Sequence, residues 1–461
     1  MLFESFLWLL KHKPWTLLLA PLWLLGGRAN LKYEIANRAQ PSIESLPLNP
    51  EFVDYLRKQA AEGREIILIS ASDERLTSSI ADYLRLFSKA YGSDATTNLK
   101  AENKLQRIQS LVGKAPFAYA GDSAADLVVW QHAAQALSVN ASSSVRKKLG
   151  ALNRFSPQAD TQQDKHFDEP LRSFSLLRSM RPHQWLKNAL LFLPLLLAHR
   201  VQELDLLIAS MVGFIAFSLC ASSVYLLNDM LDLESDRLHV TKKFRPFAAG
   251  DLSLRSGFLA APALLIAAFF CATLLNTQFF ILLAGYWFAT LCYSLRLKSL
   301  LFIDALTLAG LFCARILAGA AAIEVTATSW LLSFALFLFF GLALVKRHAE
   351  LMNLRKEGKQ ETSGRAYRVD HLPLLSVLGP SANIASIAVF ALYALSDSAS
   401  ELYSQPLLLL AACPGMFYLV ARVWRLARAG ELEEDPVRFA IQDRISQLVI
   451  FLCAVIFWLA I

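Results

Sequence analysis

The chain has 461 residues, 55% hydrophobic and 18% charged, with a formal net charge of +7. That length allows two domains, and the basic surplus sits in loops between apolar runs, so no nucleic-acid partner is needed to explain it. The six cysteines, Cys220, Cys271, Cys292, Cys313, Cys413 and Cys453, all lie within apolar runs and no two have metal-ligand spacing, which favours packing over disulfides or zinc ligands.

The first 180 residues or so are ordinary soluble sequence of mixed charge. Residues 1–10 contain Glu4, and the apolar stretch from Pro14 to Gly27 has no small-residue cleavage pattern, so it does not read as a cleavable leader. It is too short to span a bilayer easily and is expected to be a core or interfacial helix. Residues 64–72 read as a buried strand ending in small hydroxyl residues, and Ala118 to Asp126 as another strand running into an acidic turn. Helical stretches between them predict a parallel α/β sheet with its site at the strand C-termini. Ser70, Lys100, Asp122 and Asp126 then fall where a phosphate and a magnesium ion could be held, although each also reads as a plain cap or turn residue.

Together these motifs resemble the later motifs of haloacid-dehalogenase-like phosphatases, over residues 1–140. The resemblance implies that Ser70 is the phosphate-binding hydroxyl, Lys100 the charge-stabilising lysine, and Asp122 and Asp126 the magnesium carboxylates. The family's opening Asp-x-Asp-Gly-Thr, which carries its nucleophile, has no match here. The expectation is a non-catalytic remnant site or a start codon lying upstream. Residues 141–174 are expected to be a linker.

From residue 175 the chain becomes a series of apolar runs separated by short polar loops. About nine spans are predicted, near 187–199, 205–227, 255–274, 277–294, 301–322, 329–345, 376–396, 405–423 and 443–461. Alternate loops carry the cations: Lys242, Lys243 and Arg245; Arg296 and Lys298; Lys346, Arg347, Arg355 and Arg365; then Arg422, Arg425, Arg428, Arg438 and Arg444. The intervening loops offer only Arg200, which places the basic loops and the N-terminal part on the cytoplasmic side.

The stretch Asn228 to Gly250 continues directly from the second span. Asp229, Asp232 and Asp236 are three and four residues apart, so a continuing helix would carry them on one face. Like charges at that spacing repel, which makes a divalent cation the natural counter-charge, and oxygen-only ligands point to Mg2+. Magnesium shares its shell with substrate phosphates, so Arg237, Lys242 and Arg245 immediately downstream suit a metal-diphosphate. Asp304 and Arg315 lie inside an apolar run, where an isolated charge costs about 2.5 to 3.5 kcal/mol. They are expected either to pair with each other or with backbone carbonyls, or to place Arg315 in a phosphate-binding cavity.

Asn-Asp-x-x-Asp-x-x-x-Asp, matched by Asn228, Asp229, Asp232 and Asp236, resembles the first signature of the UbiA-type membrane prenyltransferase superfamily over residues 175–461. That superfamily normally has a second Asp-rich loop; here the corresponding loop instead reads Lys346, Arg347, His348, Ala349, Glu350, with Arg365 further on. This combination resembles the polyprenyl-phosphate phosphoribosyltransferase branch, as do Lys187 and Asn188 at the start of the bundle, Tyr293, Lys298, Asp304 and Arg315. The resemblance implies an all-α polytopic membrane bundle of the bacterial inner membrane, preceded by a soluble haloacid-dehalogenase-like α/β domain. It also implies Mg2+-dependent transfer of 5-phosphoribose from phosphoribosyl diphosphate to polyprenyl (decaprenyl) phosphate. Asp229, Asp232 and Asp236 would be the catalytic acids and, with Asn228, the metal ligands. Lys187, Asn188, Arg237, Lys242, Arg245, Tyr293, Lys298, Arg315, Lys346, Arg347, Glu350 and Arg365 would contact substrate. The rivals are an aromatic prenyltransferase of quinone or haem synthesis using an isoprenyl diphosphate, and a non-catalytic membrane scaffold or transporter. Oligomeric state is left open, a homo-oligomer included.

Overall fold

The computed structural model describes residues 2–94, 96–153, 165–167, 174–361, 365–432, 439 and 442–461. Arg438, counted above among the loop cations, lies outside them. The chain divides into two compact units, Met1–Ser179 with Leu226–Leu259, and Met180–Tyr225 with Ala260–Ile461.

In the first unit, Asn49 accepts from the Phe52 amide at 2.9 Å and Pro50 follows at the first helical position, which starts the helix Pro50–Ala61. Asp73 does the same for Glu74–Leu84 by accepting from the Arg75 amide. Strands β1 (Ile67–Asp73) and β2 (Lys89–Ser93) pair in parallel, and β3 (Ala118–Gly121), β4 (Gln135–Val139) and β5 (Lys165–Phe167) form a second parallel sheet in that order. The expected single sheet is therefore two small ones. Within 141–174, Ser143–Asn153 is a helix whose Val145 and Leu149 enter the core with Leu105, Ile108 and Trp130, and β5 extends the second sheet. The stretch from Pro14 folds as a 3₁₀ turn, Pro14–Leu19, and a helix, Ala20–Leu25. It buries Trp23 against Leu9 and Ile35 while Trp15, Leu18, Leu22 and Leu25 stay exposed.

Across the described residues, seven helices are long and apolar enough to cross a membrane: Leu204–Leu231, Leu254–Thr273, Thr277–Leu295, Ile303–Ala322, Ser329–Lys356, Val369–Ala394 and Pro406–Ala429. This is a multi-pass membrane protein. Two of the nine expected spans fall short. The first is a 3₁₀ segment, Pro182–Phe192, followed by a short helix, Leu193–Leu197, because Pro194 cannot donate the amide that a continuous helix would need at that point. The last, Arg444–Ala460, has 17 residues; at ~1.5 Å per residue it is a few ångströms shorter than a hydrocarbon core of ~30 Å.

Within the second unit, close approach depends on glycine. A Cβ at Gly319 would lie 2.1 Å from the Leu191 carbonyl oxygen, so the 3₁₀ segment packs directly on the Ile303–Ala322 helix. Gly379 is similarly covered by the Trp424 ring. Leu191, Phe217, Phe279, Leu283 and Tyr286 form one core cluster; Leu344, Leu351, Tyr367, Leu375 and Trp424 belong to another.

Candidate active site and polar interior

In the first unit, the long helix ends at Leu231 and a short one, Leu233–Leu238, begins after Asp232. Helical hydrogen bonding continues through the junction, from the Asp232 amide to the Asn228 carbonyl at 2.9 Å and from the Asp236 amide to the Asp232 carbonyl at 2.8 Å. The acids therefore keep near-helical spacing. Asp229 and Asp236 are both buried, and both accept from a single nitrogen, Nη1 of Arg245, at 3.2 and 2.6 Å. Burial pushes the Asp236 carboxyl above its ordinary range, and Arg245 only partly offsets that. Asp232 turns elsewhere, to the Lys11 ammonium at 3.6 Å. Arg237, expected at the diphosphate, is ion-paired to Glu4 at 2.9 Å. Lys242 is exposed just beyond the motif.

The oxygen donor set suits a hard cation. Among the described residues no three His, Cys, Asp or Glu side chains converge to cage a metal. One or two carboxylates can nevertheless hold Mg2+ when phosphate oxygens complete its shell, and in this structure the Arg245 guanidinium occupies the place between Asp229 and Asp236.

In the second unit two buried networks organise the remaining polar residues. Arg315 donates Nε to Asn188 Oδ1 at 2.8 Å, Nη2 to the Tyr286 hydroxyl at 2.8 Å and Nη1 to the Leu311 carbonyl at 2.7 Å. Asn188 in turn donates to Ser218 Oγ at 3.1 Å. Arg315 is thus satisfied by neutral partners and does not pair with Asp304. Asp304 instead accepts from Arg347 Nε at 2.5 Å and from the Tyr293 hydroxyl at 2.7 Å. Arg347 Nη1 reaches both Glu350 oxygens at 2.8 and 2.7 Å, and Glu350 also accepts from Arg365 Nη1 at 3.1 Å. The Tyr367 hydroxyl accepts from the Phe302 amide at 3.3 Å; burial pushes its pKa up to about 12. Asn188, Arg315 and Arg347, read from sequence as substrate contacts, are locked inside the protein. Lys187, Lys298 and Lys346 remain partly exposed. Tyr286 and Ser218 were not signalled by the sequence, since a hydroxyl in an apolar run resembles ordinary packing.

In the N-terminal part, Ser70, Lys100, Asp122 and Asp126 line one cavity of about 260 Å³ at the C-terminal ends of β1 and β3. Lys32, Asp73 and Lys104, which sequence reasoning missed, line it too. Lys104 donates to Asp126 at 3.0 Å, and Asp126 also accepts from the Tyr119 and Ser123 hydroxyls, both at 2.7 Å. Burial works to raise Asp126, but Lys104 and these hydroxyls outweigh it and hold the carboxyl below its ordinary range. Asp122 is raised, by burial and then by the Asp126 charge. Lys32 donates to the Ala71 carbonyl at 3.0 Å and Asn98 Oδ1 at 3.1 Å, and burial with Lys100 nearby lowers its pKa. Ser70 Oγ accepts from the Ser72 amide at 3.1 Å, the local turn role anticipated for it.

Residues 189–459 match the UbiA prenyltransferase family. The protein y4nM of Sinorhizobium fredii is 35% identical over 465 residues, covering 100% of this chain and 87% of the relative. The nodulation protein NoeC of Azorhizobium caulinodans is 31% identical over 59% of this chain and 88% of its own length. A decaprenyl-phosphate phosphoribosyltransferase of Mycolicibacterium smegmatis is 29% identical over 59% of this chain and 88% of its own. A helical bundle of apolar spans, a buried acid pair at the end of one of them, and a family match extending over more than half of the sequence lead to one assignment: this chain belongs to the UbiA prenyltransferase family.

Proposed function

We propose that the chain transfers 5-phosphoribose from phosphoribosyl diphosphate to polyprenyl phosphate, decaprenyl phosphate included, at the cytoplasmic face of a bacterial inner membrane. The observation that carries this reading is the convergence of buried Asp229 and Asp236 on one cationic nitrogen. The relative from Mycolicibacterium smegmatis, by its name, supports the choice of acceptor and sugar.

Asp229 and Asp236, with Asn228 and Asp232 beside them, would hold Mg2+, which when bound neutralises charge on the departing diphosphate. Arg245 and exposed Lys242 add positive charge where diphosphate leaves. An oxygen of the lipid phosphate attacks C1 of the ribose while the C1–O bond to diphosphate breaks and the electron pair leaves with diphosphate. The nucleophile is already anionic, so no general base is required, only cations to position it, for which partly exposed Lys187 and Lys346 are suited. The Asp304–Arg347–Glu350 network orients Arg365 for the same task.

The test is incubation of membranes containing the full chain with labelled phosphoribosyl diphosphate and decaprenyl phosphate. Label should enter the lipid extract only when both substrates and Mg2+ are present. Prenylation of 4-hydroxybenzoate from an isoprenyl diphosphate, without sugar transfer, would overturn the reading.

A further inference from the structure

The helix Leu2–His12 lies against the acid motif at three levels. Arg237 Nη2 donates to Glu4 at 2.9 Å in a largely buried pair, and Arg237 Nε, itself buried, has no hydrogen-bond partner among the described residues. About two turns further along the helix, Lys11 faces Asp232 at 3.6 Å, in a pair about one-third exposed. Between these ends Leu7 and Trp8 line, with Met230, Leu231 and Leu233, a small shared cavity of about 20 Å³. The Phe3 and Phe6 rings continue the contact onto Phe258, with centroids 5.3 and 5.5 Å away. A helix more than 200 residues away in sequence thus meets the motif through two charge pairs of opposite sense: it supplies an anion to Arg237 and a cation to Asp232.

We infer that Glu4 and Lys11 are positioning residues that set the affinity of the acid motif for Mg2+, an inference that rests on the proposed function. The signs follow from charge. Lys11 competes with a metal for the Asp232 carboxylate, so its removal strengthens metal binding. Glu4 cancels the Arg237 charge, so its removal exposes the acids to an uncompensated cation on their own helix and weakens metal binding.

The experiment measures thermal stabilisation of the purified full chain in detergent by Mg2+ with inorganic diphosphate, alongside Mg2+ dependence of transfer. Lys11→Gln should lower the half-saturating Mg2+ concentration by up to about fivefold, the factor appropriate to a part-exposed ion pair. Glu4→Gln should raise it, and Glu4→Asp should restore it. Shifts of opposite sign are not produced by a helix that serves packing alone. If Glu4→Gln does not fold, the part-exposed Lys11→Gln decides alone. Half-saturation equal to that of the wild type in Lys11→Gln, or shifts of the same sign in both variants, would overturn the inference and leave the proposed function standing. A wild-type chain unaffected by Mg2+ and diphosphate would overturn the proposed function and this inference with it.

Discussion

Arg347 donates Nε to Asp304 Oδ2 at 2.5 Å, with both side chains 1% exposed or less. Removing one partner of such a pair leaves the other as an uncompensated buried charge, which typically costs about 3–5 kcal/mol. Arg347→Ala should therefore lower the unfolding temperature of the detergent-solubilised protein markedly. Loss of transfer without any loss of thermal stability would show that Arg347 acts on substrate instead.

Lys346 makes the contrast. It is partly exposed one residue earlier on the same helix, so Lys346→Ala should leave the unfolding temperature nearly unchanged while raising the KM for polyprenyl phosphate more than that for phosphoribosyl diphosphate. Equal effects on both substrates would argue against an acceptor role.

Asp229→Asn keeps the shape of a buried side chain and deletes its charge beside Arg245. Transfer should fall by about 100-fold or more, in the range seen when a charge-stabilising group is removed from an active site. Membrane insertion, followed by protease protection, should be preserved. Near-normal turnover at saturating Mg2+ would remove Asp229 from the metal site. Asp232→Asn should lower transfer in the same assay.

Gly319→Ala would drive a methyl group into the Leu191 carbonyl, a backbone atom that cannot rotate away. A destabilisation of at least ~1–3 kcal/mol is expected, as for overpacking elsewhere, seen as a lower yield of monodisperse protein. Gly285→Ala, whose methyl group would meet nothing within 4 Å, is the control.

Asp443 accepts from the Ser446 amide and hydroxyl, both at 2.8 Å, and from Arg422 at 2.9 and 3.1 Å. The Arg422 hydrogen bonds, ahead of those from Ser446, lower its pKa from 3.8 to about 2. A depressed carboxyl contributes stability that is fully present above 3.8 and disappears as pH falls through about 2. The wild type should lose stability across that window more steeply than Asp443→Asn, and the two unfolding curves should converge at its acid end. Parallel curves would show that the pair contributes nothing.

The acid motif was legible because its evidence is local: Asp229 and Asp236 are seven residues apart at near-helical spacing, and Arg245 follows nine residues later, returned to them by the short turn after Leu238. The four residues of the N-terminal cavity were legible for a similar reason: Ser70 lies toward the end of a strand, Asp122 just after one, and Lys100 and Asp126 just ahead of helices. Asp304 and Arg347 could be seen as charges in apolar runs, but not as partners, because 43 residues separate them and two apolar helices can pack in many registers. Glu4 and Arg237, 233 residues apart, were out of reach entirely. The first expected span failed for another reason: hydropathy measures how apolar 187–199 is, and is insensitive to a missing amide at Pro194.

The N-terminal cavity carries three ammonium groups, Lys32, Lys100 and Lys104, and three carboxylates, Asp73, Asp122 and Asp126. From beyond a Debye length, ~10 Å at 0.1 M salt, those charges cancel. The chamber exerts no distant pull on a charged visitor and sets up no ionic-strength-dependent capture. Whatever settles in it is selected at contact range, by presenting both signs of charge in the right places at once.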